Sequence, residues 1–486
     1  MSEQITTSPL LLAGRWTEGA GGATVDVENP ADEGLAGRVA VATEADVESA
    51  VREATRAQRA WGATPAVERA AVLLRLAELI ERDGERLARI VVSEVGKPIR
   101  EARGEVGGAA NFCRYFAGLA TSQGGEIMPA ARRDAEVLVR REPIGVVGAI
   151  IPWNFPLALT TRKLAPALAA GNAIVLKPAE LTPLSALAIA ELAIEAGVPE
   201  GILSVLPGPG SVIGAAIVRT PGVGLVTMTG SVRAGRSILH GAAERIIPAS
   251  LELGGKAPFI VFADADLEQA VASAVATRMM NNGQACVCNE RTYVEASIHG
   301  EFVERYTAAL EALVVGDPSA EATEVGPKVS APELANVERI VDAAVAAGAK
   351  LVTGGSRLTG AGYERGHWYA PTLLTEVAAD SPVLREEVFG PVTPIVAFAD
   401  EAEAVRMAND TEFGLSSYLY TNDYGRVMRM TAALESGEVF VNRGGPEEVV
   451  GFHAGWGESG LGGDDGTHGF ELYSRRKTVY ASWGGA

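Results

Sequence analysis

Residues 144–180 read IGVVGAIIPWNFPLALTTRKLAPALAAGNAIVLKPAE. A β-branched run over 144–151 meets two prolines flanking one Asn in Pro152-Trp153-Asn154-Phe155-Pro156. A helical segment follows over 158–170, and a second apolar run over 173–177. This is the pattern of a strand, a crossover helix and a parallel strand. The unit repeats outward: helix 183–196, strand 202–206, helix 212–219, strand 223–228 and helix 233–243. Such alternation predicts a parallel sheet covered by helices on both faces. A second series begins at Phe259 and passes through Tyr293, Leu351 and Val392 to Val439, which gives two α/β domains joined near 251–256. Before the first series the chain reads as helices. Thr43 caps one with Asp46 three positions on, and others run over 65–83 and 99–120. Residues 136–142 alternate instead, Val137 and Val139 against Glu136 and Arg140, as an exposed ribbon does.

The 486 residues carry 42 Lys+Arg against 61 Asp+Glu, a net charge of −19 that disfavours nucleic acid as a partner. The apolar stretches 144–159 and 164–176 are interrupted by Pro and Asn, so no membrane span is expected. Residues 1–8 are polar where a signal peptide needs a basic patch and an apolar run, which points to the cytoplasm. Three cysteines, Cys113, Cys286 and Cys288, suit reduced thiols rather than a disulfide framework.

Ligands gather where parallel strands end. Asn154, held between prolines, is placed either to donate to a developing oxyanion or to cap the next helix. Lys177-Pro178-Ala179-Glu180 can hold a ribose or be ordinary solvated charge, while Gly208-Pro209-Gly210 and Thr229-Gly230-Ser231 with Gly235 suit close approach by pyrophosphate. The one G-x-G-x-x-G match, at 455–460, follows no strand and is rejected. In Leu251-Glu252-Leu253-Gly254-Gly255-Lys256 an apolar strand end would raise the Glu252 pKa towards that of a base; a structural Glu is the alternative. Cys286, in the loop Gly283-Gln284-Ala285-Cys286-Val287-Cys288, is accessible to become a thiolate. A metal is not expected there, because His299 lies beyond the next strand.

With Glu386-Glu387-Val388-Phe389-Gly390-Pro391, Asn29-Pro30 and Asn409-Asp410, these motifs resemble the aldehyde dehydrogenase superfamily in order and spacing over nearly the whole chain. The resemblance implies an α/β fold of two parallel-sheet, Rossmann-like domains plus a small β oligomerisation arm. The NAD-binding domain would be 1–121 and 144–253, the catalytic domain 254–468, and the arm 122–143 and 469–486. It implies Cys286 as nucleophile, Asn154 and the Cys286 amide as oxyanion hole, and Glu252 as general base. Lys177 and Glu180 would take the adenosine ribose, Gly230 and Ser231 the pyrophosphate region, and Glu387 and Phe389 the nicotinamide ribose. Gly210, Gly235, Gly254, Pro152 and Trp153 complete the cofactor set. A thiolate adds to the aldehyde, the resulting oxyanion drives hydride onto the nicotinamide, and a thioester remains. Water activated by Glu252 then hydrolyses it, which favours the acid over transfer to coenzyme A. The Glu180 carboxylate suits two ribose hydroxyls and repels a 2′-phosphate, so NAD is expected over NADP.

On a helix Phe155, Ala158, Leu159 and Arg162 share a face, expected to line the substrate tunnel. Arg162 there implies a polar or anionic substrate; a salt bridge to the other domain is the alternative. The run Thr161-Arg162-Lys163 and Cys286-Val287-Cys288 resemble succinate-semialdehyde dehydrogenases, which carry an Arg where this chain has Met280. The stretch Gly451-Phe452-His453-Ala454-Gly455-Trp456 resembles the lactaldehyde and glycolaldehyde dehydrogenase branch, in which His453 with Arg162 would bind a 2-hydroxyl; a structural imidazole is equally open. That branch has Glu after Asn-Arg, whereas Asn442-Arg443 precedes Gly444-Gly445 here, so a lost carboxylate is expected. The reading is a small polar aldehyde, a 2-hydroxyaldehyde first and a semialdehyde second. A non-catalytic member of the fold and a hydrolase using Cys286 and His453 are the rivals. The ribbon at 136–142 and the apolar C-terminus 470–483 imply a homodimer or a homotetramer of dimers.

Overall fold

The computed structural model describes residues 7–484. Residues 1–6, and with them most of the stretch bearing on a signal peptide, lie outside the described residues, as do 485–486 of the C-terminal arm. The first sheet runs, edge to edge, Gly460–Leu461, Ala249–Glu252, Val223–Thr229, Val146–Ile150, Ala173–Lys177, Leu203–Val205, Leu10–Leu12, Arg15–Thr17. The five central strands are parallel and the outer ones antiparallel. The chain builds outward from Val146–Ile150 on one side, then returns to lay Val223–Thr229 on the other. The order therefore reverses between these two strands, and the loops after Ile150 and Thr229 diverge to open a crevice. Val146–Ile150 is buried on both faces, and a Cβ at Gly148 would lie 2.3 Å from Ile217 Cγ2, so the Ile217 side chain packs directly on the strand backbone.

The second sheet runs Lys350–Thr353, Thr372–Thr375, Val392–Phe398, Asn289–Glu295, Ala257–Val261, Ser416–Tyr420, Glu438–Val441, parallel except at its Lys350–Thr353 edge. Strand Ala249–Glu252 of the first sheet leads directly into Ala257–Val261 of the second. The carboxyl edge of one sheet thus faces the amino edge of the other, and Glu252 and the loop before Asn289–Glu295 meet at that seam. Gly460–Leu461, far along the second series, crosses the seam to pair with Leu251 and Glu252. The rejected glycine motif is seen to be short strands: Trp456–Gly457 pairs with Phe413–Gly414, and Gly460 pairs with Glu252.

Thr43 and Asp46 form the capping box that opens Glu44–Ala63. The helix Gly84–Val95 escapes a reading by turn signals because the single residue Asp83 separates it from Ala66–Arg82. The predicted helix at 212–219 is a π-type turn, Gly210–Gly214, followed by Ala215–Arg219. Ala135–Pro143 pairs with Ser474–Ser482 along its whole length, and Glu126–Met128 joins it on the other side. Among the described residues no helix is long and apolar enough to cross a membrane.

The helix that follows Asn154, Pro156–Ala169, is buried along its whole length. Its N-terminus has no side-chain cap of its own. Glu105, from Ile99–Ser122, instead accepts hydrogen bonds from the N–H groups of Leu157 (2.9 Å) and Ala158 (3.1 Å) while pairing with buried Lys97, whose amine lies 3.4 Å from the Phe155 ring centroid.

Candidate active site

The loop carrying Cys286 owes its shape to Asn281-Asn282-Gly283, three successive residues in the left-handed region (φ 50°, 60° and 76°). Asn tolerates this conformation better than most residues, and Gly283 is obligatory, since a Cβ would lie 2.3 Å from the Gly390 backbone. Both Asn side chains lock the turn. Asn281 Nδ2 donates to the carbonyls of Asn154 (2.9 Å) and Gln284 (3.1 Å), and Asn282 Nδ2 to that of Pro327 (2.9 Å). Gly255 must also lack a side chain, because a Cβ would lie 2.3 Å from the Cys286 carbonyl oxygen. Of the three cysteines only Cys286 is partly exposed; burial pushes Cys113 and Cys288 up to about 12 and leaves them inert thiols.

Asn154 is not a helix cap: Phe155 occupies that position, and Asn154 Nδ2 donates to the Gln284 carbonyl at 3.0 Å, reaching into the Cys286 loop. Its second amide N–H remains for a ligand. Glu252 is 2% exposed, and neither carboxylate oxygen has a hydrogen-bond partner. Burial raises its pKa to about 8, against the pull of His453. His453, itself 2% exposed, places Nε2 3.6 Å from Glu252 and Nδ1 3.1 Å from Glu438 and 3.9 Å from Glu447. Burial pushes the Cys286 thiol up, and His453 draws it down. Glu447 is held at about 2: burial alone would raise it, and His453 and Arg162 overcome that.

Arg162 forms the ion pairs of the salt-bridge alternative: Nε lies 3.1 Å from Asp465, Nη1 3.0 Å from Glu447, and Nη2 also pairs with Asp465. The carboxylate expected to be lost at 444–445 is present in another form, because Glu447 and Glu438 bring two beside His453. Their approach depends on the strand Glu438–Val441 and the turn after it, which no local spacing reveals. Phe155, like Cys286 and Met280, packs against the cluster of Ala285, Val287, Cys288 and Leu415, and Leu159, 8% exposed, is part of the first core.

The crevice of the first sheet has the form of a dinucleotide cradle. Glu180 Oε1 accepts from the Gly210 N–H at 2.7 Å, and a Cβ on Gly210 would lie 3.5 Å from Lys177 Nζ and 3.9 Å from Glu180, filling the space between them. The Thr229 hydroxyl is buried without a partner at the next strand end. Ser231 caps the fourteen-residue helix Val232–Arg245, whose N-terminus favours an anion, and Gly230 N–H donates to the Glu252 carbonyl at 2.9 Å. Across the seam Trp153 meets Phe389 edge to face at 5.3 Å beside Pro152, and Glu387 accepts from the Gly255 N–H at 2.8 Å. A Cβ on Gly254 would lie 2.7 Å from that Glu387 carboxylate. At Gly235 a Cβ would strike Leu253 at 2.8 Å.

The Glu252 shift predicts a pH dependence of stability. Its folded pKa of about 8 lies above the unfolded value of 4.5, so the unfolded chain ionises first. Its contribution to stability is intact below pH 4.5 and lost as pH rises through 8. Glu252→Gln removes this loss, so its melting temperature should gain on the wild type between pH 5 and pH 8, measured by thermal denaturation; a constant difference contradicts the burial argument.

The model of the aldehyde dehydrogenase family matches residues 16–479. The 3,6-anhydro-alpha-L-galactose dehydrogenase of Streptomyces coelicolor is 53% identical, the match covering 96% of this chain and 95% of that one. The lactaldehyde dehydrogenase of Escherichia coli is 41% identical over 97% and 98%. A solved 3,6-anhydro-L-galactose dehydrogenase in complex with NAP superposes with a TM-score of 0.96 at 42% identity, covering 98% of this chain and 100% of that one. Fold, seam and match extend over the same residues, and the chain belongs to the aldehyde dehydrogenase family.

Proposed function

We propose that this enzyme oxidises an uncharged, hydroxylated aldehyde with a 2-hydroxyl group to its carboxylic acid, using NAD in preference to NADP. The observation that carries the substrate class is the charge around Glu252 and His453. Five carboxylates, Glu252, Glu438, Glu447, Asp464 and Asp465, surround three cations, Arg162, Lys163 and His453. Even with Glu252 protonated, every cation there has a carboxylate partner. A semialdehyde's own carboxylate would meet repulsion, whereas hydroxyl groups find acceptors. Met280, in place of a second Arg, points the same way. The open form of 3,6-anhydro-L-galactose, named in the Streptomyces relative, carries a hydroxyl beside its aldehyde and falls in this class.

The residues support a division of labour. Cys286 attacks the aldehyde carbon as a thiolate, and the oxyanion that forms accepts from the remaining Asn154 N–H and the Cys286 amide. When bound, the nicotinamide cofactor supplies the hydride acceptor. Lys177, Glu180 and Gly210 would hold its adenosine ribose, Ser231 and the helix behind it its pyrophosphate, and Glu387 and Phe389 its nicotinamide ribose. Glu252 has unpaired oxygens and a pKa near 8, so it can take the proton of the water that cleaves the thioester and release it again. Self-association as a dimer, or a tetramer of dimers, would proceed through the arm. Ser474–Ser482 leaves an open sheet edge, and Ile127, Tyr480 and Trp483 are exposed there.

Three measurements test these points. Growth of reduced-nicotinamide absorbance should rank 3,6-anhydro-L-galactose, lactaldehyde and glycolaldehyde above succinate semialdehyde in kcat/KM, with all turnover lost in Cys286→Ala; succinate semialdehyde at the head would overturn the charge argument. Glu180→Gln should raise the NADP-to-NAD ratio of kcat/KM about tenfold, the effect of removing one near repulsion, and an unchanged ratio would dismiss Glu180 as the discriminator. Light scattering should give a dimer or larger species; a monomer contradicts the role of the arm.

A further inference from the structure

We propose that Glu101 is a positioning residue for the oxyanion hole: it holds the backbone of Asn281, whose side chain bridges the Asn154 loop and the Cys286 loop. The inference rests on the reading of Asn154 and the Cys286 amide as that hole and adds what fixes their separation. The two donors come from different sheets, Asn154 from the loop after Val146–Ile150 and Cys286 from the loop before Asn289–Glu295. Two donors stabilise one oxyanion only when both are aimed at the same place, and a misplacement of about 1 Å can cost about a hundredfold in rate. Hydrogen bonds between the loops set this aim. Asn154 Nδ2 donates to the Gln284 carbonyl at 3.0 Å, and Asn281 Nδ2 donates to the carbonyls of Asn154 at 2.9 Å and Gln284 at 3.1 Å. Asn281 thus grips the backbone on both sides of the hole.

Asn281 needs an anchor of its own. Its φ of 50° is unfavourable for a residue with a Cβ and persists only where the surroundings hold it. Its side-chain Oδ1 is buried without a partner, so no acceptor on the side chain contributes. Glu101 supplies the hold: Oε2 accepts from the Asn281 backbone N–H at 2.7 Å. Four positions on, and on the same face of Ile99–Ser122, Glu105 Oε1 accepts from the Leu157 and Ala158 N–H groups. One helix therefore takes the chain just after Asn154 with one carboxyl and the chain before Cys286 with another, and about one helical turn sets their spacing. The approach to this helix is docked on the second series of elements, with Ile99 N–H donating to the Pro318 carbonyl at 2.8 Å and Asn282 Nδ2 to the Gly96 carbonyl at 3.2 Å. Burial raises the Glu101 pKa to about 7, against the pull of the Asn281 N–H and Lys97. A carboxyl accepts through its carbonyl oxygen in either protonation state, so the hold requires an acceptor at this place rather than a charge.

The test compares a reaction that passes through an oxyanion with one that does not. The first is kcat/KM for the aldehyde that the wild type oxidises fastest, at saturating NAD; the second is the rate at which iodoacetamide alkylates Cys286, located by mass spectrometry of the labelled peptide. Glu101→Leu, similar in size but without an acceptor, should lower kcat/KM about tenfold or more while alkylation stays within about threefold of the wild type. Glu101→Gln, whose carbonyl oxygen still accepts from Asn281, should restore kcat/KM to within about threefold. A general packing defect would slow both reactions together. Undiminished kcat/KM in Glu101→Leu, alkylation falling in step with it, or Glu101→Gln as impaired as Glu101→Leu overturns the proposal. If Glu101→Leu fails to fold, Asn281→Gly decides, since it keeps the backbone N–H and accepts the positive φ but cuts the link to Asn154. A tenfold or greater loss of kcat/KM there with alkylation kept, about the size of effect set out above, supports the proposal, and any other result refutes it. A wild type that oxidises no aldehyde would defeat the proposed function and this inference together, whereas full turnover in Glu101→Leu defeats this inference alone.

Discussion

The active site is assembled around one buried carboxylate. Glu290, at the start of the strand Asn289–Glu295, is 2% exposed and takes hydrogen bonds or ion pairs from four donors: Lys256 Nζ at 2.7 Å, Arg278 Nη1 at 3.0 Å, and the N–H groups of Val388 at 2.8 Å and Phe389 at 3.0 Å. Burial alone would drive its pKa up. Lys256, Arg278 and the backbone donors overcome this and hold it at about 2. The four donors belong to three separate parts of the chain. Lys256 ends the seam that starts at Glu252, Arg278 ends the helix before the nucleophile loop, and Val388 and Phe389 carry the Glu387 turn. Arg278 goes on to the carbonyls of Asn289 (3.1 Å) and Gly283 (3.3 Å), so the Glu252 strand end, the Cys286 loop and the Glu387 turn are referred to a single charge. Desolvating three ionic groups is costly and is offset only when every donor is present, which makes the arrangement all-or-none.

A second ionic cluster, across the seam, has the opposite character. Around Glu290 the cations and backbone donors saturate one acid. Around His453 the acids outnumber the cations, and two Glu252 oxygens remain without partners. Unsatisfied buried oxygens are expensive in a core and useful in a site, where a ligand or water completes them. The saturated cluster therefore fixes positions, and the acid-rich one keeps acceptors open.

The parallel sheets were legible because strands buried on both faces read as apolar runs separated by helices, as 144–151 and 173–177 do. Cys286, Glu252 and Asn154 stood in motifs confined to one strand end or loop, and the structure brings all three to the seam. The ionic partners of Arg162 and His453 were not legible. Asp465 lies 303 positions from Arg162, and their meeting depends on Gly460–Leu461 crossing to the first sheet. Reading a lost carboxylate from Gly444-Gly445 failed for the same reason, since a turn brings Glu447 to a place that the sequence position suggests is vacant. Asn281-Asn282-Gly283 did carry a usable signal: successive residues tolerant of positive φ just before a nucleophile mark a loop held in one unusual conformation.

The net charge of −19 sets the terms on which an anionic cofactor can be held. Long-range attraction is unavailable, so affinity must come from groups whose effect is short-ranged and aimed. The crevice is built accordingly. Lys177, 4% exposed, has its pKa lowered by burial with Glu180 pulling the other way, so its ammonium gains most from a nearby anion or hydroxyl. The N-terminus of Val232–Arg245 and the partnerless Thr229 hydroxyl contribute dipoles rather than net charge. Dipoles and one buried cation discriminate by geometry where a basic surface would bind any polyanion, and an acidic exterior removes that competition before a ligand reaches the crevice.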